Sequence, residues 1–309
     1  MKKRFAILAL LALTVAVPVA QTTIVQDVRG LIAKSDLAGA ERLANQYRAE
    51  KGNTPEALVA LSWVSRGLLA AGNNEKAADV ANHTHKLALE VLRARALDAD
   101  KVLPIALGAA IETEAKAMAA TGQRASAVSY LRQEGAKYKA TSIYSRLQKN
   151  LHLLSLEGQP APGFTAKNVL GAPMPPTKGK ATLLFFWAHW CPDCKAQSPI
   201  IADVQKKYKD KGLIVVGPTR PYGYVARGAE AGPEEELKYI EEVRKQFYGS
   251  IEMSVPVSLD DALAWGMDST PTIALVDQDG KVAMYHPGNM TREELETRIE
   301  SVLNRRPQS

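Results

Sequence analysis

The first half of the chain repeats apolar residues at helical spacing. In the segment "DLAGAERLANQYRAE" one helical face carries Leu37, Ala40, Leu43, Ala44 and Tyr47. Thr54 followed by Pro55 has the order of a helix cap and a first helical turn. Because residues 24–156 are also rich in Ala, Leu, Glu, Lys and Arg, we predict that this region is all-α.

Small residues recur at matching places in this helical region. Three pairs are each separated by five positions: Ser35 and Ala40, Gly72 and Ala77, and Gly122 and Ala127. Small residues at such points let two antiparallel helices turn and pack closely, so we predict helical hairpins. The stretch "LLAAGNNEKAADVANHTHKLALEVL" resembles a tetratricopeptide repeat, although the repeat spacings here are irregular. Two interpretations stay open, a tetratricopeptide-like array and a plain helical bundle.

The pattern changes after "LEGQPAPGF", where glycine and proline break the helical period. The continuous apolar runs "ATLLFFWA" and "LIVVGP" are typical of buried strands. "TIALVDQDGKVAMYH" predicts two more strands joined at Asp279 and Gly280. Helices are predicted at "KAQSPIIADVQKKY", "GPEEELKYIEEVRKQF" and "TREELETRIESVL", the last one capped by Thr291. We therefore predict an α/β domain over residues 158–305, with the element order βαβα followed by ββα.

The first twenty residues have the layout of a secretory signal peptide. "MKKR" is basic, an apolar run follows, and "PVAQTT" comes after it. The apolar run is shorter than the ~20 residues that span a bilayer. We expect residues 1–20 to direct export, so that the protein is periplasmic or secreted. Membrane attachment is expected only if this segment is retained.

Charge adds little to this picture. The net charge is +6, and Lys2, Lys3 and Arg4 supply three of these charges, which leaves 6 − 3 = +3 for the rest. A balance this mild does not indicate a nucleic-acid partner.

The two cysteines of the chain lie in "FWAHWCPDCK", where a predicted buried strand gives way to a predicted helix. The free N–H groups and the dipole of a helix start stabilise an anion, which makes Cys191 the candidate thiolate nucleophile. Cys194 is then the candidate resolving thiol. A disulfide that closes so short a loop stabilises little, so the pair indicates chemistry. Pro192 limits backbone freedom, and the charge of Asp193 disfavours a thiolate, so we expect a couple that is not a strong oxidant.

Two other interpretations of the cysteine pair remain. One is a copper or zinc site that adds His189 or His286, and the other is a purely structural disulfide. We expect no cofactor.

Three segments together resemble a known family: "GQPAPGF", "LLFFWAHWCPDCKAQSP" and "STPTIALVDQDGKV". They are similar to the exported TlpA/ResA-like thiol–disulfide oxidoreductases of the thioredoxin superfamily, over residues 158–305. The resemblance implies a mixed central sheet flanked by helices and exchange through a mixed disulfide. It implies protein disulfides or dithiols as substrates and an electron donor that is not identified. It also implies a cis peptide before Pro271, facing the redox pair, with the backbone of Thr270 open to an extended substrate.

The sequence departs from this family where protons are handled. Thioredoxin has a buried Asp six residues before its first cysteine, and many ResA-type relatives have a Glu three residues after the second. Phe185 and Gln197 occupy these places. The possible proton relays are then His189, Asp193 and Lys195, and an unperturbed histidine has a pKa near 6.5. For His189 we favour the alternative of an exposed loop residue without a role.

Substrate contacts are expected on either side of the cysteines. Trp190 is expected to form a flat apolar surface, with Pro192 beside it. Residues 217–236 are an insertion relative to the smallest thioredoxins, with exposed cationic and aromatic character from Arg220, Tyr222, Tyr224 and Arg227. This insertion is either a substrate-gripping loop or a packed surface loop.

The leading hypothesis is an exported enzyme that exchanges disulfides in proteins, with the helical half as a docking surface for a partner. One alternative is a redox-regulated binding or copper-delivery module. Another is a peroxiredoxin-like peroxide reductase, which needs a T-x-x-C context, whereas His189 and Trp190 precede Cys191.

Overall fold

The computed structural model describes residues 23–304, so the predicted signal peptide at residues 1–20 lies outside the described part. Within residues 23–304, no helix is both long and apolar enough to cross a membrane.

Seven helices make up the first half of the described chain. They are α1 (Ile24–Ala33), α2 (Leu37–Lys51), α3 (Pro55–Ala70), α4 (Asn74–Leu92), α5 (Leu103–Ala120), α6 (Arg124–Lys137) and α7 (Tyr144–Ser155). The predicted cap is present, because the Thr54 hydroxyl accepts a hydrogen bond from the Ala57 N–H at 3.3 Å. The odd-numbered helices pack against one another in chain order, and each even-numbered helix packs against the two helices that flank it in sequence. The region is therefore all-α, as predicted.

One turn design joins the helices of the first three hairpins. Ser35, Gly72 and Gly122 each adopt a left-handed backbone, with φ of 62°, 79° and 85°. The next N–H in each turn then donates to a carbonyl five residues back, at 2.9 Å in all three turns: Asp36 to Leu31, Asn73 to Leu68, and Gln123 to Met118. Five residues after each turn residue lies a fully buried alanine: Ala40, Ala77 and Ala127. The predicted hairpin repeat is thus confirmed.

The second half alternates strands and helices. They are β1 (Asn168–Gly171), β2 (Ala181–Phe186), α8 (Pro192–Tyr208), β3 (Leu213–Val216), α9 (Pro233–Tyr248), β4 (Ser254–Val257), α10 (Leu259–Ala264), β5 (Thr272–Val276), β6 (Val282–Pro287) and α11 (Arg292–Leu303). The sheet order is β1-β4-β3-β2-β5-β6, with β2, β3 and β4 parallel and the other pairings antiparallel. This is the mixed sheet that we expected. The sequence analysis missed β1 and β4, which are each only four residues long.

The central strand β2 is buried on both faces. Leu183 and Phe185 point into the larger core, which also receives side chains of α8, α9 and α11. Leu184 and Phe186 point to the opposite face, where they pack with Trp265. Because side chains alternate along a strand, a strand covered on both faces is expected to be apolar on both of them. All residues of β2 except Thr182 are apolar.

Helix α7 joins the two halves. It packs against α10 and β6, and Leu156, the residue after it, belongs to the apolar cluster around Trp265. Lys149 Nζ lies 2.9 Å from Asp268 Oδ2, and the Ser145 hydroxyl donates to Asp268 Oδ1 at 3.1 Å. A Cβ at Gly266 (φ +63°) would lie 2.7 Å from the backbone nitrogen of Lys149, so only glycine fits. Helix α7 therefore packs into both cores, and the predicted domain boundary at residues 156–158 stays a prediction.

Candidate active site

The two cysteines lie at the junction of β2 and α8. They are joined by a disulfide with a Cα–Cα distance of 5.3 Å. Cys191 is the N-cap of α8, and the backbone N–H of Cys194 donates to Cys191 Sγ at 3.0 Å. This N–H and the positive end of the helix dipole both face Cys191 Sγ, which favours negative charge on that sulfur once the disulfide is reduced.

The Thr270–Pro271 peptide bond is cis, as the resemblance implied. Antiparallel pairing of Phe186 with Thr272 puts the start of β5 beside the end of β2. Pro271 and the cysteines therefore lie at the same end of these two strands. The Pro271 carbonyl accepts a hydrogen bond from Gly288 N–H at 2.8 Å. Within residues 23–304, the backbone N–H and carbonyl of Thr270 make no hydrogen bond. They are therefore free to pair with an extended peptide.

His189 is buried, so our interpretation of it as an exposed loop residue is wrong. Its side chain is 1% exposed, and Nε2 lies 3.3 Å from Glu236 Oε1. Three tyrosine rings surround the imidazole edge-on, at centroid distances of 5.2–5.4 Å: Tyr222, Tyr224 and Tyr239. Burial lowers the pKa of His189, and the neighbouring Glu236 carboxylate opposes this effect only in part. The imidazole is therefore neutral at neutral pH.

Glu236 connects three parts of the site. Its carboxylate is 2% exposed and accepts hydrogen bonds from the backbone N–H groups of Tyr222 (2.5 Å) and Gly223 (2.9 Å) as well as from His189. It thereby fastens the insertion and the active-site loop to the first turn of α9. The sequence analysis missed this residue, because it resembles its exposed neighbours at the helix start. Its spacing to the buried Ile240 and Val243, four and seven residues on, is the signal that could have found it.

The insertion at residues 217–236 is packed more closely than expected. Tyr222 and Tyr224 are half-buried against His189, so the prediction that they are exposed is wrong. The Arg220 guanidinium lies 4.5 Å from the centroid of the Tyr222 ring, and Arg227 is exposed. Burial raises the pKa of Tyr222 to about 12, although Arg220 acts in the opposite direction. Tyr222 therefore stays a neutral apolar surface for its neighbours.

Trp190 stands on this surface. Its side chain is 46% exposed, and its ring contacts Tyr222 edge-on at a centroid distance of 5.5 Å. Pro192 and Asp193 are exposed next to it, at the start of α8. Lys195 Nζ lies 4.1 Å from the centroid of the Phe247 ring. The two cysteines themselves are buried, and the exposed residues beside them are the aromatic Trp190, the apolar Pro192 and the acidic Asp193.

The two places where relatives have a carboxylate serve packing in this chain. Phe185 is fully buried and contacts Tyr248 edge-on at 6.0 Å. Gln197 is buried, and its amide donates to the Met290 carbonyl at 3.1 Å and accepts from the Met290 N–H at 2.9 Å. Gln197 thereby ties α8 to the segment before α11.

Residues 23–304 contain no group of three or more His, Cys, Asp or Glu side chains placed to hold a metal ion.

Comparisons with known proteins cover this second half. A family model described as Redoxin matches residues 156–303. The thioredoxin-like protein YneN of Bacillus subtilis is 30% identical over 149 residues, which cover 47% of this chain and 79% of that protein. The thiol-disulfide oxidoreductase ResA of Bacillus thuringiensis is 27% identical over 151 residues, covering 47% and 78%.

A solved structure is similar over the same half. It is a thiol:disulfide interchange protein of the thioredoxin family from Chlorobium tepidum, 24% identical, with a TM-score of 0.34, and the match covers 41% of this chain and 83% of that one. The two sequence relatives are a thioredoxin-like protein and a thiol-disulfide oxidoreductase, and this chain has a cysteine pair directly after β2. The chain therefore belongs to the thioredoxin superfamily, as a TlpA/ResA-like thiol–disulfide oxidoreductase.

Proposed function

We propose that this oxidoreductase exchanges disulfides in proteins through Cys191 and Cys194. The observation that carries the proposal is the position of Cys191 Sγ, which caps α8 and accepts the Cys194 N–H at 3.0 Å. A helix start with a free N–H group lowers the energy of a thiolate at this sulfur, and the thiolate is the form that attacks a disulfide.

The exchange has two steps. The Cys191 thiolate attacks one sulfur of a substrate disulfide, so a mixed disulfide forms and one substrate thiolate leaves. The Cys194 thiolate then attacks Cys191 Sγ, which forms the Cys191–Cys194 disulfide and releases the second substrate thiolate. Two electrons pass from the enzyme dithiol to the substrate, and the released thiolates take up the two protons. A separate dithiol donor restores the enzyme by the reverse chemistry.

In this proposal the substrate chain lies across the exposed residues beside the redox pair. The free backbone groups of Thr270 pair with an extended segment, next to Pro271. Trp190 and Pro192 supply exposed apolar contact next to the cysteines in sequence.

His189 is the strongest of the three proposed proton relays. Asp193 is exposed, and Lys195 lies over the Phe247 ring. His189 is buried two residues before Cys191, and its Nε2 lies 3.3 Å from Glu236 Oε1, which leaves Nδ1 as the other ring nitrogen. A neutral imidazole has one unprotonated ring nitrogen, which can accept a proton.

Two wider parts of the proposal concern location and partners. Export follows from the signal-like residues 1–20, and it places the enzyme in the periplasm or outside the cell. The helical half acts as a docking surface for a protein partner, because stacked helical hairpins offer an extended binding face.

Trapping of the mixed disulfide tests the proposal. Cys194→Ser removes the resolving thiol, so purified enzyme mixed with insulin should accumulate a covalent adduct on Cys191 that dithiothreitol releases. The double variant Cys191→Ser/Cys194→Ser is the matched control and should form no adduct. If wild-type enzyme fails to reduce insulin with dithiothreitol and Cys194→Ser forms no adduct, the proposed function is wrong.

A further inference from the structure

The packed odd-numbered helices share one surface that is rich in positive charge. Six side chains make up this surface, which we call the cationic face: Arg29 of α1, Trp63 and Arg66 of α3, Lys116 of α5, and Arg146 and Lys149 of α7. These residues form one cluster, because Arg66 interacts electrostatically with both Arg29 and Arg146. Glu112 of α5, in turn, interacts with Arg146, Lys116 and Lys149.

Carboxylates neutralise one end of this cluster. Glu112 accepts hydrogen bonds from Lys116 Nζ at 2.5 Å and from Arg146 Nε at 2.7 Å. Burial alone would raise the pKa of Glu112, but the positive charges of Arg146 and Lys116 have the larger combined effect and hold the pKa well below its usual range. Lys149 pairs with Asp268 at 2.9 Å. The cations of α5 and α7 therefore have partners.

The other end of the cluster lacks such partners. The guanidinium carbons of Arg29 and Arg66 lie 4.6 Å and 4.4 Å from the centroid of the Trp63 ring. Within residues 23–304, neither guanidinium forms an ion pair or a side-chain hydrogen bond. Arg66 is half-buried, and burial together with the positive charges of Arg146 and Arg29 lowers its pKa, while the Glu112 carboxylate opposes this effect only in part. Like charges held this close destabilise each other, and a bound anion would remove that cost.

The chemistry of these three side chains selects the ligand. A guanidinium presents its N–H groups in a planar fork that matches a carboxylate, and stacking on an indole leaves the edge of that fork open. Trp63 adds apolar surface for the chain that carries the carboxylate. The cationic face also leads to the redox site, since Lys149 pairs with Asp268, three residues before Pro271.

We propose that the cationic face binds an acidic segment of the protein whose disulfide is exchanged, with carboxylates seated at Arg29 and Arg66. The inference rests on the proposed function and gives its docking surface a partner of defined chemistry. The bound segment leads toward the loop before Pro271, so docking raises the concentration of the substrate disulfide at Cys191.

Binding of a defined peptide tests this proposal. The probe is a fluorescein-labelled ten-residue peptide of alternating Glu and Gly, and its binding to the full chain is followed by fluorescence anisotropy. We expect Arg29→Gln/Arg66→Gln to weaken binding about tenfold, since two charge-assisted contacts are lost. The matched control is Lys178→Gln/Arg298→Gln, which removes two exposed positive charges from the second half and should bind as the wild type does. Arg29→Gln alone, at an exposed position, should show part of the loss even if the double variant folds poorly.

Several outcomes would overturn the proposal. They are unchanged binding by Arg29→Gln/Arg66→Gln, equal binding of a Gln/Gly peptide, and binding of phosphatidylserine vesicles in preference to the Glu/Gly peptide. Insulin reduction separates this proposal from the proposed function. Wild-type enzyme that reduces insulin but does not bind the peptide refutes the docking proposal alone. Wild-type enzyme that binds the peptide but cannot reduce insulin refutes the exchange function and, with it, the role of the bound segment as part of an exchange substrate.

Discussion

Replacement of Glu236 by Gln tests whether this buried carboxylate holds the site together. The carboxylate now accepts hydrogen bonds from the N–H groups of Tyr222 and Gly223 and from His189. Glutamine has nearly the same shape, but only one of its two terminal atoms is an acceptor. At least one of the two backbone N–H groups must then face an amide NH₂ group and lose its partner.

The size of the effect follows from these contacts. A buried donor without a partner costs about 1–3 kcal/mol, and hydrogen bonds to a charged acceptor lie at the upper end of the range for single bonds. We therefore expect Glu236→Gln to lower the free energy of unfolding by about 2 kcal/mol. For a cooperative unit of about 150–250 residues, that is a decrease in Tm of roughly 4–8 °C.

Urea unfolding followed by circular dichroism measures this change. The midpoint should fall while the slope of free energy against urea stays constant, because the surface exposed on unfolding is the same. The matched control is Glu235→Gln, an exposed glutamate in the same helical turn, which should change the free energy by less than about 0.5 kcal/mol. If both variants unfold alike, the carboxylate of Glu236 does not fasten the insertion to the active-site loop.

Three further predictions follow from the contacts described above. Because burial lowers the pKa of His189, the unfolded chain binds this proton more readily than the folded chain below about pH 6.5. The free energy of unfolding should therefore fall as the pH is lowered from about 6.5. His189→Gln should flatten this pH dependence in urea titrations, and an unchanged slope contradicts the assignment of a neutral buried imidazole. Gly266→Ala should lower Tm much more than Gly72→Ala. Both glycines have positive φ, but only at Gly266 would the added Cβ meet the backbone of Lys149. Equal decreases in Tm, measured by differential scanning calorimetry, would count against the close approach of α7. Asp268→Asn should slow the reduction of insulin but leave the reduction of a small aromatic disulfide unchanged, because it weakens the contacts that hold the loop before Pro271 against α7. Equal effects on both substrates in a spectrophotometric assay would argue that these contacts do not affect protein substrates in particular.

Local signals allowed much of the helical half to be predicted. The cap at Thr54 and the turns at Gly72 and Gly122 depend on residues within one or two helical turns, so a short window contains all the information. The strand β2 and the start of α8 at Cys191 were predicted for the same reason, since a long apolar run ends where a proline begins the helix.

Long-range contacts explain what the sequence analysis missed. Strand β4 is the four-residue segment "SVPV", which contains proline and is fixed mainly by pairing with β1, far away in the sequence. The burial of His189 depends on Glu236, 47 residues later, and on tyrosines of the insertion. Polar residues in a loop are usually exposed, so local composition favoured the wrong interpretation of His189.

The double role of α7 sets limits on how this chain can be cut or recombined. A truncated protein that starts at residue 158 would lack Leu156 and the helix that covers Gly266, and it would expose the apolar surface around Trp265. A redox domain prepared for separate study should therefore begin before Tyr144 rather than at the composition change. Chimaeras with relatives face the same requirement. A redox domain taken from a relative must either include its own α7 or have a surface that packs against the α7 of this chain. A redox domain is thus expected to be exchanged between proteins together with its α7, so that the junction lies inside the helical array.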